Sequence, residues 1–103
     1  MRVGYSVLKE INEKNFTPCA SDYGLTQREF ENFVLFLEHK GFLERVLRVD
    51  DSFSLNPARL TKKGIKLLED NNQYIETYPQ KRSELKVWIQ VDKELYSNGA
   101  EEE

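Results

Sequence analysis

The stretch that most constrains the fold is Leu25-Thr26-Gln27-Arg28-Glu29-Phe30, which follows directly on Gly24. Thr26 with Glu29 three residues later is a capping box. The hydroxyl accepts a bond from the third helical amide while the carboxylate accepts one from the cap's own amide, so two otherwise unpaired donors at a helix start are satisfied. Leu25 before the cap and Phe30 at the fourth helical position are spaced as a hydrophobic staple. Phe30, Phe33, Val34 and Leu37 then recur at helical spacing, predicting a helix over 27–40 that stops at Gly41. Upstream, Pro18 suits a first helical turn, and Gly24 suits the left-handed residue that closes a short helix through Ala20 to Asp22. A short helix joined by a tight turn to a longer, capped one is the helix-turn-helix pattern.

The flanking segments extend it. Val3, Val7, Leu8 and Ile11 mark a first helix over 2–14, stopped at Asn15-Phe16-Thr17-Pro18 because the residue before proline avoids the helical region. Residues 42–49 read as a strand, Asp50-Asp51-Ser52 as a turn, and Phe53-Ser54-Leu55 as the returning strand. Asn56-Pro57 interrupts the return, and Ala58-Arg59-Leu60 resumes it. Thr61 caps a helix carrying Ile65, Leu67 and Leu68, in which Gly64 permits close packing on a neighbour and which frays at Asn71-Asn72. Residues 73–79 read as a connector. A last helix over 80–96 carries Leu85, Trp88, Ile89, Leu95 and Tyr96. The order predicts an α+β, mainly α chain: a winged helix-turn-helix with a two-stranded wing and C-terminal helices. It divides into a core over 1–72, the connector, the last helix, and a disordered acidic tail over 97–103.

The chain resembles the small YjcQ-type family of Gram-positive bacteria and their phages. The resemblance rests on Tyr5-Ser6-Val7-Leu8-Lys9-Glu10-Ile11, on Thr17-Pro18, and on Tyr23-Gly24-Leu25-Thr26 with Phe30. Gly41-Phe42, Leu60-Thr61-Lys62-Lys63-Gly64 and Lys86-Val87-Trp88-Ile89 continue it, so that it spans roughly residues 5–90. It implies a winged-helix domain and, by analogy, a DNA-binding, transcription-regulatory or phage-associated role.

At 103 residues there is material for one core and not two. The formal charge of -3 equals the contribution of Glu101, Glu102 and Glu103, and the remaining acids balance the 15 basic residues. Only the distribution of charge can therefore speak for or against a polyanionic partner. One cysteine, Cys19, allows no intrachain disulfide, and there is no signal-peptide pattern or apolar membrane-spanning run. The expectation is a cytoplasmic protein. The single histidine, His39, falls in the last turn of its helix, where it complements the dipole. Cys19 reads as a small buried apolar residue. With no convincing catalytic pair or phosphate-cradling glycine loop, a non-enzyme without cofactor or metal is expected.

If the domain binds double-stranded DNA, the N-terminal end of the 27–40 helix enters the major groove. Thr26, Gln27, Arg28, Glu31 and Asn32 are then the reading positions. Arg45 and Arg48 on the wing, with Lys62 and Lys63 at the next helix start, contact phosphate. Against this stand Glu31 and Glu38 on the same helix, Asp50-Asp51 at the wing tip, and only eleven basic against nine acidic residues over 1–68. On that account the basic side chains form a solvated face. The alternative function is a non-catalytic protein-protein interaction module. In either case Trp88, Leu95 and Tyr96 are candidate residues for a homodimer interface across a two-fold axis, with core packing of Trp88 and Ile89 on the first helix as the alternative for that end of the helix.

Overall fold

The computed structural model describes residues 2–90. Helix α1 (Arg2–Glu13) is followed by a single 3-10 turn, Ala20–Tyr23, and then by α2 (Gln27–His39). Four short strands come next: β1 (Leu43–Glu44), β2 (Leu47–Val49), β3 (Ser52–Ser54) and β4 (Arg59–Leu60). Helix α3 (Lys62–Asp70) leads to 3-10 turns at Asn72–Glu76 and Arg82–Glu84, and residues 85–90 are helical. The chain is α+β and mainly helical.

Helix α1 lies at the centre. Tyr5, Val7, Leu8 and Ile11 are buried on more than one side of it, as are Gly4, Ser6 and Glu10. It packs against α3 and β4. Helix α2 adds Phe30, Val34 and Leu37, the face predicted from their spacing, although Phe33 is only partly buried. The capping box forms as expected: Glu29 N–H donates to Thr26 Oγ1 at 3.1 Å and Thr26 N–H to Glu29 Oε1 at 2.9 Å. At the other end, Gly41 takes φ +83, Gly41 N–H reaches Glu38 O at 2.9 Å and Phe42 N–H reaches Leu37 O at 3.0 Å. These paired bonds form the glycine closure that satisfies the last carbonyls.

The expected continuous strand over 42–49 is broken. Arg45 adopts φ +64, which turns the chain out of line between β1 and β2. Two separate antiparallel ladders result. In one, β1 pairs with β4, setting Leu43 opposite Leu60 beside the core. In the other, β2 pairs with β3 as a hairpin whose loop is Asp50-Asp51, with Ser52 inside the strand. Thr61 caps α3 as predicted, accepting from Gly64 N–H at 3.1 Å and donating to the carbonyl of Gly41. A methyl group at Gly64 would lie 2.2 Å from the Phe42 carbonyl oxygen, so backbone passes directly against the first turn of α3. That oxygen accepts the Thr61 amide at 3.1 Å.

Residues 73–79, expected as a connector, contain most of a 3-10 turn and pack on the core. Tyr74 and Tyr78 both meet Tyr5 and Trp88 edge-on, the shortest ring separation being 5.0 Å between Tyr78 and Trp88. Arg2 lies 4.8 Å above the indole and donates to the Trp88 carbonyl at 2.9 Å, while the indole N–H donates to Thr77 Oγ1 at 3.0 Å. Trp88 is thus 7% exposed. Of its two expected places, core and dimer interface, Trp88 takes the core: its faces and polar edge are taken up within the chain. Leu95 and Tyr96 lie outside the described residues, as does the acidic tail.

Candidate nucleic-acid interface

The expected reading positions lie at the cap and on the first two turns of α2, and the structure separates them by what each already binds. Thr26 gives its hydroxyl and its amide to the cap. Gln27 Nε2 donates to Glu31 Oε2 at 2.7 Å, so these two side chains hold each other. Arg28 and Asn32, four residues apart and so one above the other on a helix face, are both exposed. Among the described residues neither shows a side-chain hydrogen bond or ion pair.

The acids of α2 have specific partners. Glu29 belongs to the cap. Glu38 forms an ion pair with Arg48 of β2 at 2.6 Å, and the Arg48 guanidinium also lies 5.6 Å over the Phe53 ring. Arg48 is therefore part of the seam between hairpin and helix, and its charge is offset before any phosphate approaches. Arg45 is exposed and lies 3.8 Å from Glu44. Lys62 and Lys63 are exposed at the start of α3, with the Lys63 ammonium 5.3 Å over the Phe42 ring.

These groups form two sets rather than one surface. Arg28 and Asn32 belong to the N-terminal half of α2. Lys62 and Lys63 stand beside its far end, where the Thr61 hydroxyl meets the Gly41 carbonyl. A helix of 13 residues is about 20 Å long, which sets the separation of the two sets. Lys40, whose ammonium lies 5.6 Å over Phe36, joins the second set. The hairpin-loop acids Asp50 and Asp51 are exposed.

The cluster around Cys19 was not expected from the sequence. The thiol is half-exposed rather than buried, and lies 3.4 Å from Asp22 Oδ2 and 3.3 Å from Arg82 Nη2. Arg82 grips Asp22 with two nitrogens, at 2.6 and 2.9 Å, donates to the Thr17 carbonyl at 3.2 Å, and stacks 4.2 Å over Phe16. Burial pushes the Asp22 carboxyl up. The bonds from Arg82, from the Cys19 amide and from the thiol outweigh that and hold it below the ordinary carboxylate range. Acid at the third position of a short helix was the available signal; its partner sixty residues away left none.

A second polar cluster crosses the core. Ser6 Oγ lies 2.9 Å from Tyr23 Oη and 2.8 Å from Tyr78 Oη, and Tyr78 donates to Glu10 Oε2. Burial raises both tyrosines, and for Tyr78 its bond to Glu10 raises it further. The second Glu10 oxygen is buried with no partner among the described residues. Glu10 and Tyr78 also line an open cleft of about 650 Å³ with Lys9, Phe16, Ile75 and Arg82. Among the described residues no three His, Cys, Asp or Glu side chains converge as a metal site would require, and no helix is long and apolar enough to cross a membrane.

Compared with known proteins, the chain is 34% identical over 91 residues to the uncharacterised protein YjcQ of Bacillus subtilis strain 168, an alignment covering 85% of this chain and 95% of that one. The chain belongs to the YjcQ family. No family model and no solved structure matches it. In this YjcQ-family chain, the exposed part of α2 changes character along its length. Arg28 and Asn32 occupy the first two turns, and Leu35 and Phe36, 41% and 44% exposed, follow in the next.

Proposed function

We propose that this chain is a winged helix-turn-helix protein that binds duplex DNA with α2 as its recognition helix. The turn Ala20–Tyr23 and α2 supply the helix-turn-helix, and the hairpin β2–β3 the wing. The observation that carries the proposal is the free pair Arg28 and Asn32 at the N-terminal end of α2, where a recognition helix meets base edges. Arginine reads guanine and asparagine reads adenine, each by two parallel hydrogen bonds. Lys62 and Lys63, about one helix length away, supply charge for the phosphate backbone. The acids that argued against DNA are partly accounted for, since Glu29 is bound to its cap and Glu38 to Arg48.

The test is a titration of the intact chain with random duplex as salt is raised from about 50 to 200 mM, where affinity should fall steeply. Arg28→Ala should weaken binding and relax preference at one base, and Lys62→Ala should weaken it uniformly. Absence of binding at the low-salt end overturns the proposal.

A second reading has its own observation. Leu35 and Phe36 are exposed on the same helix, with Phe36 stacked 6.0 Å from Phe33. A recognition helix has little use for such a patch beyond thymine methyl groups, whereas a protein partner buries it. If duplex binding fails, Leu35→Glu and Phe36→Glu become the variants that discriminate.

A further inference from the structure

The wing hairpin has an apolar outer face and an unpaired edge. Leu47 and Val49 of β2 are 42% and 54% exposed, on the face opposite Arg48. Phe53, directly across from Arg48, packs edge-on against Phe30 of the core, so the Arg48 face is the inner one. Two residues, Asp50 and Asp51, separate the paired positions Val49 and Ser52. In such a tight hairpin the pair flanking the loop exchanges backbone hydrogen bonds, and the next pair does not. The amide and carbonyl of Arg48 therefore point away from β3, to an edge that has no strand partner among the described residues. Natural edge strands are blunted with proline, a bulge or unpaired charge; β2 has no proline, and its one charged side chain, Arg48, is already paired with Glu38.

We propose that this edge pairs with the same edge of a second copy, antiparallel across a two-fold axis at Arg48. The two Arg48 backbones exchange hydrogen bonds, and the two hairpins join into a four-stranded sheet. Three registers allow the outward backbone groups to meet, and side chains choose among them. Centred on Arg48, Leu47 of each chain lies directly opposite Val49 of the other, so all four exposed apolar side chains form one cluster. Arg45 and Asp51, exposed just beyond opposite ends of β2, then lie at the same ends of the joined ladder and carry opposite charges. Centring on Leu47 carries Val49 of each chain past the end of the other's β2, and centring on Val49 does the same to Leu47. Both lose an apolar contact. The adjacent Arg48 side chains do not meet as bare charges, because each is paired with its own Glu38 at 2.6 Å. A two-stranded hairpin is marginal alone, and a four-stranded sheet with one apolar face is not. The assembly is independent of whether α2 binds DNA and does not use the C-terminal helix.

Sedimentation of the full chain should show the apparent mass rising with concentration toward twice the 12.2 kDa of one chain. Val49→Lys, at an exposed site, should return it to the monomer mass, with a thermal midpoint equal to that of the parent chain at concentrations where the parent is monomeric. Register is read by disulfide trapping in a Cys19→Ser background. A mixture of Leu47→Cys and Val49→Cys chains should cross-link in hydrogen-bonded dimers, and neither alone should do so. A monomer at all concentrations overturns the proposal, as does a dimer that Val49→Lys leaves intact. Cross-linking of either single variant with itself overturns the register.

Discussion

The C-terminal segment over 72–90 and the β2–β3 hairpin both reach back to the helical core, and they are attached in different ways. The C-terminal segment is held by buried groups. Trp88 sits between two tyrosines under Arg2, and Tyr78 joins a hydrogen-bonded cluster with Ser6, Tyr23 and Glu10. Among the described residues the hairpin is held by the ring contact of Phe53 on Phe30 and by the partly exposed Arg48–Glu38 ion pair, and all three residues of β2 are exposed. Groups removed from water must find partners or lose their hydration uncompensated, so the first attachment is stiff. Surface pairs remain partly hydrated, so the second is weak and leaves the hairpin available to a partner.

The largest expected effect belongs to the C-terminal segment. Trp88→Ala should lower stability by about 4 kcal/mol in urea unfolding, since it empties the cage of Arg2, Tyr74 and Tyr78. Next is Tyr78→Phe, which leaves the buried Glu10 carboxylate without its one donor and should cost about 2 kcal/mol. Removing the uncompensated charge, by measuring Glu10→Gln in the Tyr78→Phe background, should recover part of that loss.

Asp22 gives a prediction with a defined pH window. Its folded-state value is lowered, so the stability it contributes is present above the unfolded value near about 3.9 and is lost as pH falls through the lower folded value. Asp22→Asn should therefore reduce stability at neutral pH and flatten the acid side of the profile; an unchanged slope below about pH 4 would show that Arg82 contributes little.

Thr26→Ala should cost about 1 kcal/mol through loss of the cap. The smallest effect is expected at the hairpin. Glu38→Gln removes a partly exposed ion pair and should change stability by under about 1 kcal/mol. If Glu38→Gln costs as much as Tyr78→Phe, the contrast between the two attachments fails. If it also lowers proteolytic protection of residues 47–54 alone, the contrast is sharpened.

Much of the architecture was legible in the sequence because the signals involved are local. Gly24 and Gly41 take the left-handed conformation that closes a helix, the Thr26–Glu29 box forms, and Thr61 caps α3. Each of these depends on atoms within five residues of one another. The break at Arg45 was not legible, because arginine carries no preference for positive φ and the turn is imposed by where Leu43 and Phe53 must pack. Arg48 was read as a phosphate contact because nothing nearby in sequence shows that Glu38 will meet it.

By itself, then, the sequence determined the order of α1, α2 and α3, the caps that start α2 and α3, and the glycine that stops α2. Tertiary structure alone decided which charges remain free. Arg82 finds Asp22, Tyr78 finds Glu10 and Arg2 finds Trp88 across separations of 60, 68 and 86 residues. Such pairings depend on the path of the whole chain, and burial decides which of them form. Helix caps are chosen by the chain's immediate neighbours, whereas the exposed pair on α2 and the open edge of β2 are what long-range packing left unpaired.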